Sequence, residues 1–450
     1  MRKIVDAIVL ITITISIAAA RPAAQPARCD RSSLVLTRAT LWTPDGLRSD
    51  QEVVISDGRI EAIGRSGQVR RPADTRVIDA NGDTLLPGLI DAHAHLVVAG
   101  TAPKEAVAAA RAQIYPATAR QLLRSGVTSA RIHLWDLEDG PAFVRESLDD
   151  CSPMPRLQQG GPGFIGGSTA FDGRSGWGVR DEADARAKVH RVQAAGATWI
   201  AIHNLDQFEP PILRAIVASA RDAKLRIMAQ GDTFAQIKIA LDLGVDSLEY
   251  IDRSTAASYP LEILKELKSR GGSLFVVPPV GYYRRLVRFR ADATLLDDDR
   301  LTEFMPESVG RFMLNHLRAQ RSKPATGAAL AIEQSAGVLA DKFRQLRAAG
   351  VLMIVGSDCG SAASFQADSI WWELETWRTF GVPVADAVAA ATSASARALG
   401  VMDVGQITPG RRADLVLYRG SLTDGPLHVA KVRTVVKGGA VFVHEGKWRE

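Results

Sequence analysis

Short apolar runs alternate with helix-length segments through most of this 450-residue chain. Apolar runs of about four to eight residues predict buried strands, and a glycine just after a helix-period segment is typical of a helix C-terminus. Such a glycine precedes the next strand at residues 125–128, 195–198, 243–246 and 349–352. Strands that alternate with helices in this way predict parallel strands joined by helical crossovers.

Eight strands can be placed in this alternating region. They lie near residues 88–95, 128–135, 155–159, 199–204, 226–231, 247–251, 273–279 and 352–357. Helices fall between them, for example at 181–195 and 209–222. Eight strand–helix units match the size of a (β/α)8 barrel of about 250 residues. We therefore predict an α/β fold with a TIM-like barrel over residues 85–403.

Both ends of the mature chain are rich in strands. Residues 34–84 contain Asp-Gly and Asn-Gly turn signals between alternating apolar segments, and residues 404–450 return to the same pattern. Neither segment is large enough to bury a core alone. We expect them to pair into one small composite β-sandwich beside the barrel.

The first residues read as a targeting segment. Arg2 and Lys3 precede an uncharged run of fourteen residues at 7–20, which is shorter than the roughly 20 residues that a membrane span needs. Small residues at 18–20 resemble a cleavage site. The pattern predicts a signal peptide and linker over residues 1–28 and an exported protein, periplasmic or secreted, with no stable membrane span afterwards. A buried N-terminal helix is the alternative.

Three cysteines allow one disulfide and one spare thiol. An exported protein would meet an oxidising compartment, and Cys29–Cys151 is the pair that we favour. Cys359 lies in a different local context, near the end of the eighth strand. A protein without a disulfide is the other interpretation.

The charge balance limits the kinds of partner. Fifty-five basic residues stand against 50 acidic ones, for a net charge of +5. Such a mixed surface argues against a nucleic-acid partner, and the partner that we expect from the motifs described below is a small-molecule substrate. The sequence does not decide whether the protein forms a homo-oligomer.

A long segment, residues 281–329, follows the seventh strand. It begins with Arg284, Arg285, Arg288 and Arg290. Long loops at the carboxyl end of barrel strands cover active sites, so a lid-like insertion that attracts an anionic substrate is one interpretation. A solvated helix face is the other.

The end of the first barrel strand carries metal-ligating residues. His93 and His95 are two residues apart in a strand, so their side chains face the same side. Asp358 ends the eighth strand, across the barrel from this pair. Two imidazoles and a carboxylate form a known type of catalytic metal site. We expect one divalent ion there, and zinc is the metal that we favour. Incidental histidines and a helix-capping aspartate are the alternative.

These motifs resemble the amidohydrolase superfamily, in particular its imidazolonepropionase and Xaa-Pro dipeptidase (prolidase-like) branch. The resemblance rests on DGRIEAIG, VIDANGDTLLPGLIDAHAHL, SGVTSAR, GVDSLEY, VGSDCG, GQITPGRRADLVLY and VVKGGAVFV. It implies a distorted barrel with a β-sandwich and hydrolysis of amide, C–N or ester bonds by metal-activated water. It also implies that Asp358 binds metal and moves the proton.

Three positions depart from the family pattern. Ala201 stands where the family has a carboxylated lysine, and Gln230 and Tyr250 stand where it has histidines. A binuclear site of the usual kind is therefore not expected, and His93 and His95 remain with Asp358.

Other polar residues near these positions are candidates for substrate binding. His203, two residues beyond Ala201 on its strand, either takes up space that a lysine would reach or is a structural histidine. Gln230 and Tyr250 either hydrogen-bond a substrate carbonyl or water, or fill the vacated volume. His133 matches no ligand of the family, so we expect it in the core or on the surface.

The favoured function is an exported metal-dependent hydrolase of the amidohydrolase type. It would cleave a C–N or peptide-like bond, or an ester or lactone, with Asp358 as general base and then general acid. The alternative is a catalytically inactive barrel that keeps this fold to bind a small ligand or a partner.

Overall fold

The structure is a computed structural model that describes residues 29–96, 104–133, 137, 140–167, 176–360 and 364–449. The expected signal peptide and linker, residues 1–28, lie outside the described residues. None of the described helices is long and apolar enough to cross a membrane.

The described residues form eighteen strands and thirteen α-helices. The strands are β1 (Leu34–Thr43), β2 (Gly46–Ser56), β3 (Arg59–Arg65), β4 (Arg76–Asp79), β5 (Thr84–Pro87), β6 (Leu89–Ala94), β7 (Val127–Ile132), β8 (Arg156–Gln159), β9 (Gly163–Ile165), β10 (Gly176–Gly178), β11 (Trp199–His203), β12 (Arg226–Gln230), β13 (Ser247–Glu249), β14 (Phe275–Val277), β15 (Leu415–Tyr418), β16 (Val432–Lys437), β17 (Ala440–His444) and β18 (Lys447–Trp448). The helices are α1 (Lys104–Arg124), α2 (Gly140–Ser147), α3 (Glu182–Ala194), α4 (Pro210–Asp222), α5 (Phe234–Asp242), α6 (Leu261–Ser269), α7 (Val280–Ala291), α8 (Glu307–Arg321), α9 (Gly327–Ser335), α10 (Leu339–Ala348), α11 (Ser369–Thr379), α12 (Val384–Ala390) and α13 (Ser393–Leu399).

Strands from both ends of the chain share one nine-stranded sheet. Its order is β18-β17-β16-β15-β5-β1-β2-β3, with β4 beside β1. The two ends meet where β15 pairs antiparallel with β5, from Leu415 opposite Pro87 to Tyr418 opposite Thr84. The sheet has its own apolar cluster, which includes Leu36 and Val53. Its folding into two packed layers, and the division into domains, remain predictions.

The parallel strands alternate with helices in the order expected for a TIM-like barrel. They fall into a sheet β6-β7-β8 and a sheet β10-β9-β11-β12-β13-β14, and within the described part of the chain no continuous ladder closes the ring. Backbone hydrogen bonds outside the ladders bridge the gaps. Thr198 N donates to Gln159 O over 3.0 Å, between β8 and β11, and Val276 N donates to Leu352 O over 2.9 Å, next to β14.

The expected eighth strand, residues 352–357, makes one isolated bridge, between Met353 and Val276, and just beyond it Cys359 bridges to Ala94. Ile354 N donates to Val276 O of β14 over 3.0 Å, but Val355 N donates to Ala390 O over 3.2 Å and Ser357 N donates to the Asp91 carboxylate over 3.0 Å. The segment still lies close to β6. A Cβ added at Gly356 would lie 2.8 Å from the His93 Cβ, so this approach requires glycine.

A stack of two cations and one ring fills part of the barrel interior. Trp199 is buried, and the Arg131 and Arg226 guanidiniums lie 4.6 and 4.1 Å from its ring centroids. Such contacts are attractive when the cation is desolvated. These contacts hold Arg131 inside the barrel, close to Glu249 and to strand β6, which carries His93.

The segment after the seventh strand folds into α7, α8 and the start of α9. The four arginines near its beginning all have internal partners, which gives no support to an anion-attracting lid. The partners are Thr379 for Arg284, Asp368 for Arg285, Asp292 for Arg288 and Glu333 for Arg290.

The structure confirms the favoured cysteine pairing. Cys29 and Cys151 form a disulfide between residues 122 positions apart in the sequence, and Cys359 is a buried thiol. The bridge ties the start of the described chain to the turn before β8.

Candidate metal centre

The structure brings His93, His95 and Asp358 together at the carboxyl end of β6. One donor atom from each lies within 4.8 Å of the others. Asp358 Oδ1 lies 3.6 Å from His93 Nε2 and 3.2 Å from His95 Nε2. Ligand atoms of a tetrahedral zinc ion, about 2.0–2.2 Å from the metal, are about 3.3–3.6 Å apart. The donor set therefore fits one divalent ion.

Buried Asp91 fixes the spacing between β6 and the segment that carries Asp358. Its Oδ1 accepts from His93 N over 3.1 Å and from Ser357 N over 3.0 Å, and its Oδ2 accepts from Ser357 Oγ over 2.5 Å. Burial raises the pKa of Asp91 to about 6. Asp358 N donates in turn to His93 O over 2.9 Å. Hydrogen bonds from the Asp91 side chain and from the Asp358 backbone thus hold strand β6 and the segment that carries Asp358 together.

Glu249 sets the direction of the His93 ring. Its Oε2 lies 2.7 Å from His93 Nδ1, and its Oε1 accepts from Arg131 Nη2 over 2.6 Å. Burial alone would raise the pKa of Glu249, but Arg131 and His93 hold it below its usual value. A carboxylate behind an imidazole takes up its Nδ1–H and leaves Nε2 available to a metal. His93 therefore presents Nε2 to His95 and Asp358.

Tyr250 contacts Asp358 directly. Its hydroxyl donates to Asp358 Oδ2 over 3.1 Å. Burial, helped by Asp358, raises the pKa of Tyr250 well above its ordinary value, so the phenol stays protonated and remains a donor. The two oxygens of Asp358 thus have different neighbours, histidines at Oδ1 and a phenol at Oδ2.

His133 lies closer to the site than its sequence context indicated. Its buried ring is 5.2 Å from the His93 ring and 5.3 Å from the His95 ring, centroid to centroid. Burial, with His93 and His95 nearby, lowers the pKa of His133 well below its ordinary value, so the ring is neutral. The interpretation as a core residue is correct for its burial but missed this neighbourhood.

Little space remains beside His93 at two of the positions where the family pattern has other ligands, Ala201 and Gln230. Ala201, His203 and Gln230 line a cavity of about 10 Å³ beside His93, which is close to the minimum volume for one water molecule. The His203 ring lies 6.3 Å from the His133 ring. His203 and Gln230 therefore lie at the edge of the site, and their roles in substrate binding remain predictions.

An aromatic and ionic wall adjoins Asp358. The Tyr283 ring on α7 stacks on the Tyr250 ring, with 6.3 Å between the ring centroids. The Arg253 guanidinium also lies over the Tyr250 ring, 5.2 Å from its centroid. Arg253 forms an ion pair with Asp232. These groups hold Tyr250 in place.

Sequence reasoning missed Glu249, Arg131 and Asp91 as parts of the site. The available signal was a charged residue inside an otherwise apolar strand, since β7, β13 and β6 each contain one and are buried throughout. A buried charge needs a partner, but the sequence does not show which residue provides it.

The model of the amidohydrolase family matches residues 84–441, and the chain belongs to that family, as a hydrolase of the amidohydrolase type. It falls within the imidazolonepropionase and prolidase-like branch. It is 27% identical over 403 residues to an imidazolonepropionase of Streptomyces griseus, and the alignment covers 86% of this chain and 89% of the relative. It is 28% identical to an imidazolonepropionase of Mycolicibacterium smegmatis, over 88% of this chain and 90% of the relative.

Solved structures show the same fold. A Xaa-Pro dipeptidase with methionine bound in its active site matches with a TM-score of 0.71 and 20% identity, over 92% of this chain and 100% of that chain. The likeness supports a TIM-like barrel with α/β content.

The prediction of an exported protein is wrong in the light of these comparisons. The relatives that match over 86–89% of the chain are imidazolonepropionases, and none of the eight is described as a secreted protein. The prediction depended on residues 1–28 alone, through their charge, hydropathy and cleavage-like pattern.

We expect Glu249→Gln to weaken zinc binding by about 10–100-fold, because an amide cannot compensate Arg131 and hold the His93 ring as a carboxylate does. Competition with a chromophoric chelator measures the affinity. Glu373→Gln is the matched control: Glu373 is equally buried, but it accepts from the backbone of Val280 and Gly281. Equal zinc affinity in both variants would contradict the role of Glu249.

Proposed function

We propose that this protein hydrolyses a C–N bond with the help of one divalent ion, zinc in the first instance, held by His93, His95 and Asp358. The observation that carries the proposal is the convergence of their donor atoms, with Asp358 Oδ1 3.6 and 3.2 Å from the two Nε2 atoms. When bound, such an ion supplies Lewis-acid activation of a water molecule at neutral pH. The carboxylate behind His93 supports this assignment, since metal-binding histidines commonly have one.

Asp358 is the proposed general base and then general acid. Its carboxylate is buried beside the histidine pair, and the attacking water would lie within hydrogen-bond reach of it. Asp358 takes the proton of that water as the carbonyl is attacked. It then gives the proton to the leaving nitrogen as the C–N bond breaks.

Tyr250 is a positioning residue in this proposal. The family pattern has a histidine there, whereas the Tyr250 hydroxyl donates to Asp358 Oδ2. This bond fixes the plane of the carboxylate while Oδ1 faces the histidines. His133 is a neutral ring next to the pair.

The substrate class follows from the relatives. Those named imidazolonepropionase support a cyclic amide, and the Xaa-Pro dipeptidase structure supports a peptide bond. We propose a small amide of one of these two kinds as substrate, with lactones as a further class to test. Gln230 and His203, at the edge of the small cavity, are the candidates to contact its carbonyl.

Asp358→Asn should lower the rate of any hydrolysis by about 10²–10⁴-fold, because the amide keeps the shape but cannot accept the proton. The measurement is a screen of imidazolones, dipeptides, N-acyl amino acids and lactones with zinc-loaded protein, each hit repeated with the variant. A hit that Asp358→Asn leaves unchanged would remove Asp358 from the reaction. A blank with protein that binds zinc would favour the inactive, ligand-binding barrel.

Tyr250→Phe should lower kcat by a few-fold to about tenfold and leave KM nearly unchanged, because it removes one hydrogen bond to Asp358 and no substrate contact. The control is Tyr259→Phe, which alters a buried tyrosine that packs on Phe234. A rise in KM without a fall in kcat would place Tyr250 against the substrate.

A further inference from the structure

Arg253 lies at the same end of the barrel as His93 and Asp358. It follows the last residue of β13 by four positions, and its ion-pair partner Asp232 follows the last residue of β12 by two. The strands β12 and β13 are parallel neighbours. The carboxyl ends of parallel barrel strands meet at one face, and active sites lie at that face. Arg253 is therefore a cation on the functional face of the barrel.

One tyrosine ring separates Arg253 from Asp358. The Arg253 guanidinium lies over the Tyr250 ring, 5.2 Å from its centroid. The hydroxyl of the same ring donates to Asp358 Oδ2 over 3.1 Å. A small molecule with one end at Arg253 can thus reach Asp358 by spanning a single aromatic ring.

Arg253 keeps hydrogen-bond donors that the protein itself does not use. Its Nη2 pairs with Asp232 Oδ2, whereas within the described residues neither Nε nor Nη1 has a hydrogen-bond partner. The side chain is 14% exposed, so these donors lose most of their water but are not closed off. Arg131 differs, since it is 1% exposed and donates from both Nε and Nη2. Desolvated donors without a partner are rare, which favours a ligand as the partner of Arg253.

The hydroxyl of Tyr282 is a second unused donor in this neighbourhood. Tyr282 is a half-buried residue of α7, with its ring 5.7 Å from the Tyr283 ring. Burial raises the pKa of Tyr282 above its ordinary value, and Asp358 and Arg253 are close enough to affect it too. The phenol therefore stays protonated, and no described residue accepts a hydrogen bond from it.

A carboxylate is the group that suits these donors. A guanidinium presents its N–H groups in a planar fork that matches the two oxygens of a carboxylate. Asp232 takes up only the Nη2 group of Arg253, so the fork can hold a second acceptor. Hydrogen bonds between opposite charges are about twice as strong as neutral ones, so a neutral group would gain less at this position.

We propose that Arg253 is a specificity-determining residue that binds a carboxylate of the substrate. The inference rests on the proposed function and narrows its small amide to one that carries a free carboxylate, such as a dipeptide or a cyclic amide with an acidic substituent. Nε and Nη1 of Arg253 donate to the carboxylate, and the Tyr282 hydroxyl donates to one of its oxygens. The C–N bond of the substrate then lies beside Asp358.

Two pairs of probes test the proposal, glycylproline against glycylprolinol and pyroglutamate against pyroglutaminol. The members of each pair have nearly the same shape, but only one of them has a carboxylate. Titration calorimetry with zinc-loaded protein gives the dissociation constant, and KM replaces it where a probe is hydrolysed. In the wild type the carboxylate of at least one pair should bind about 10–100-fold more tightly, the value of a charge-assisted hydrogen bond.

Variants locate this preference at Arg253. Arg253→Gln should abolish it, and Arg253→Lys, which keeps the charge but not the fork, should retain part of it. Arg221→Gln is the matched control, because Arg221 is a partly exposed arginine that pairs with Asp246, and it should bind as the wild type does.

A double variant separates binding from folding. Arg253→Gln alone leaves the Asp232 carboxylate without its ion-pair partner, which is destabilising for a buried group. Asp232→Asn/Arg253→Gln removes both charges, so it should unfold closer to the wild-type temperature and still lack the preference for the carboxylate.

Three outcomes would overturn the proposal. They are the absence of a carboxylate preference in the wild type for both pairs, a preference that Arg253→Gln keeps, and an equal fall in kcat for both members of a pair with their affinity ratio unchanged. The last outcome would make Arg253 only a support for Tyr250. A carboxylate preference at Arg253 in protein that hydrolyses nothing would sink the proposed function instead, and hydrolysis without the preference would leave that function standing alone.

Discussion

The buried carboxylate of Glu249 is the contact on which the arrangement of the site depends. It receives Arg131 from β7, Ser247 from its own strand and His93 from β6. A carboxylate in an apolar interior is costly unless it is paired and hydrogen-bonded, and here both oxygens are satisfied. Because His93 Nδ1 is held by Glu249, only Nε2 can face His95 and Asp358. The contacts of Glu249 on β13 with Arg131 on β7 and His93 on β6, which belong to a different sheet, thereby determine the geometry of the proposed metal ligands.

The segment expected as the eighth strand is not regularly paired, and it places Asp358 beside His93 and His95. Asp91 takes the backbone N–H of Ser357, and Gly356 allows the backbone to come close to His93. Asp358 itself has φ +47° and Tyr250 has φ +71°, both in the left-handed region that non-glycine residues rarely adopt. The Tyr250 hydroxyl then bonds to Asp358. Backbone strain of this kind concentrates at functional sites, where the surrounding contacts hold it.

Local patterns in the sequence predicted most of the barrel strands and the histidine pair. Seven of the eight expected strands coincide with strands in the structure, because apolar runs and glycine caps are local signals, and the two-residue spacing places His93 and His95 on one face. The eighth strand differs because its backbone donors are divided among Val276 O, Ala390 O and the Asp91 carboxylate, which the sequence does not show. Glu249 and Arg131 were missed because they are 118 residues apart in the sequence, and only the fold makes them partners. The export prediction failed because it depended on one terminal segment.

We infer that Ala201, Gln230 and Tyr250 replace three ligands of the family pattern, and Ala201 and Gln230 line a cavity of only about 10 Å³. We therefore expect a mononuclear centre on His93, His95 and Asp358. The most direct test is the metal content of the purified protein after dialysis against zinc, measured by elemental analysis in the wild type and in His95→Ala. We expect about one equivalent of zinc per chain in the wild type and almost none in His95→Ala. Two equivalents in the wild type, or one that persists in His95→Ala, would contradict it.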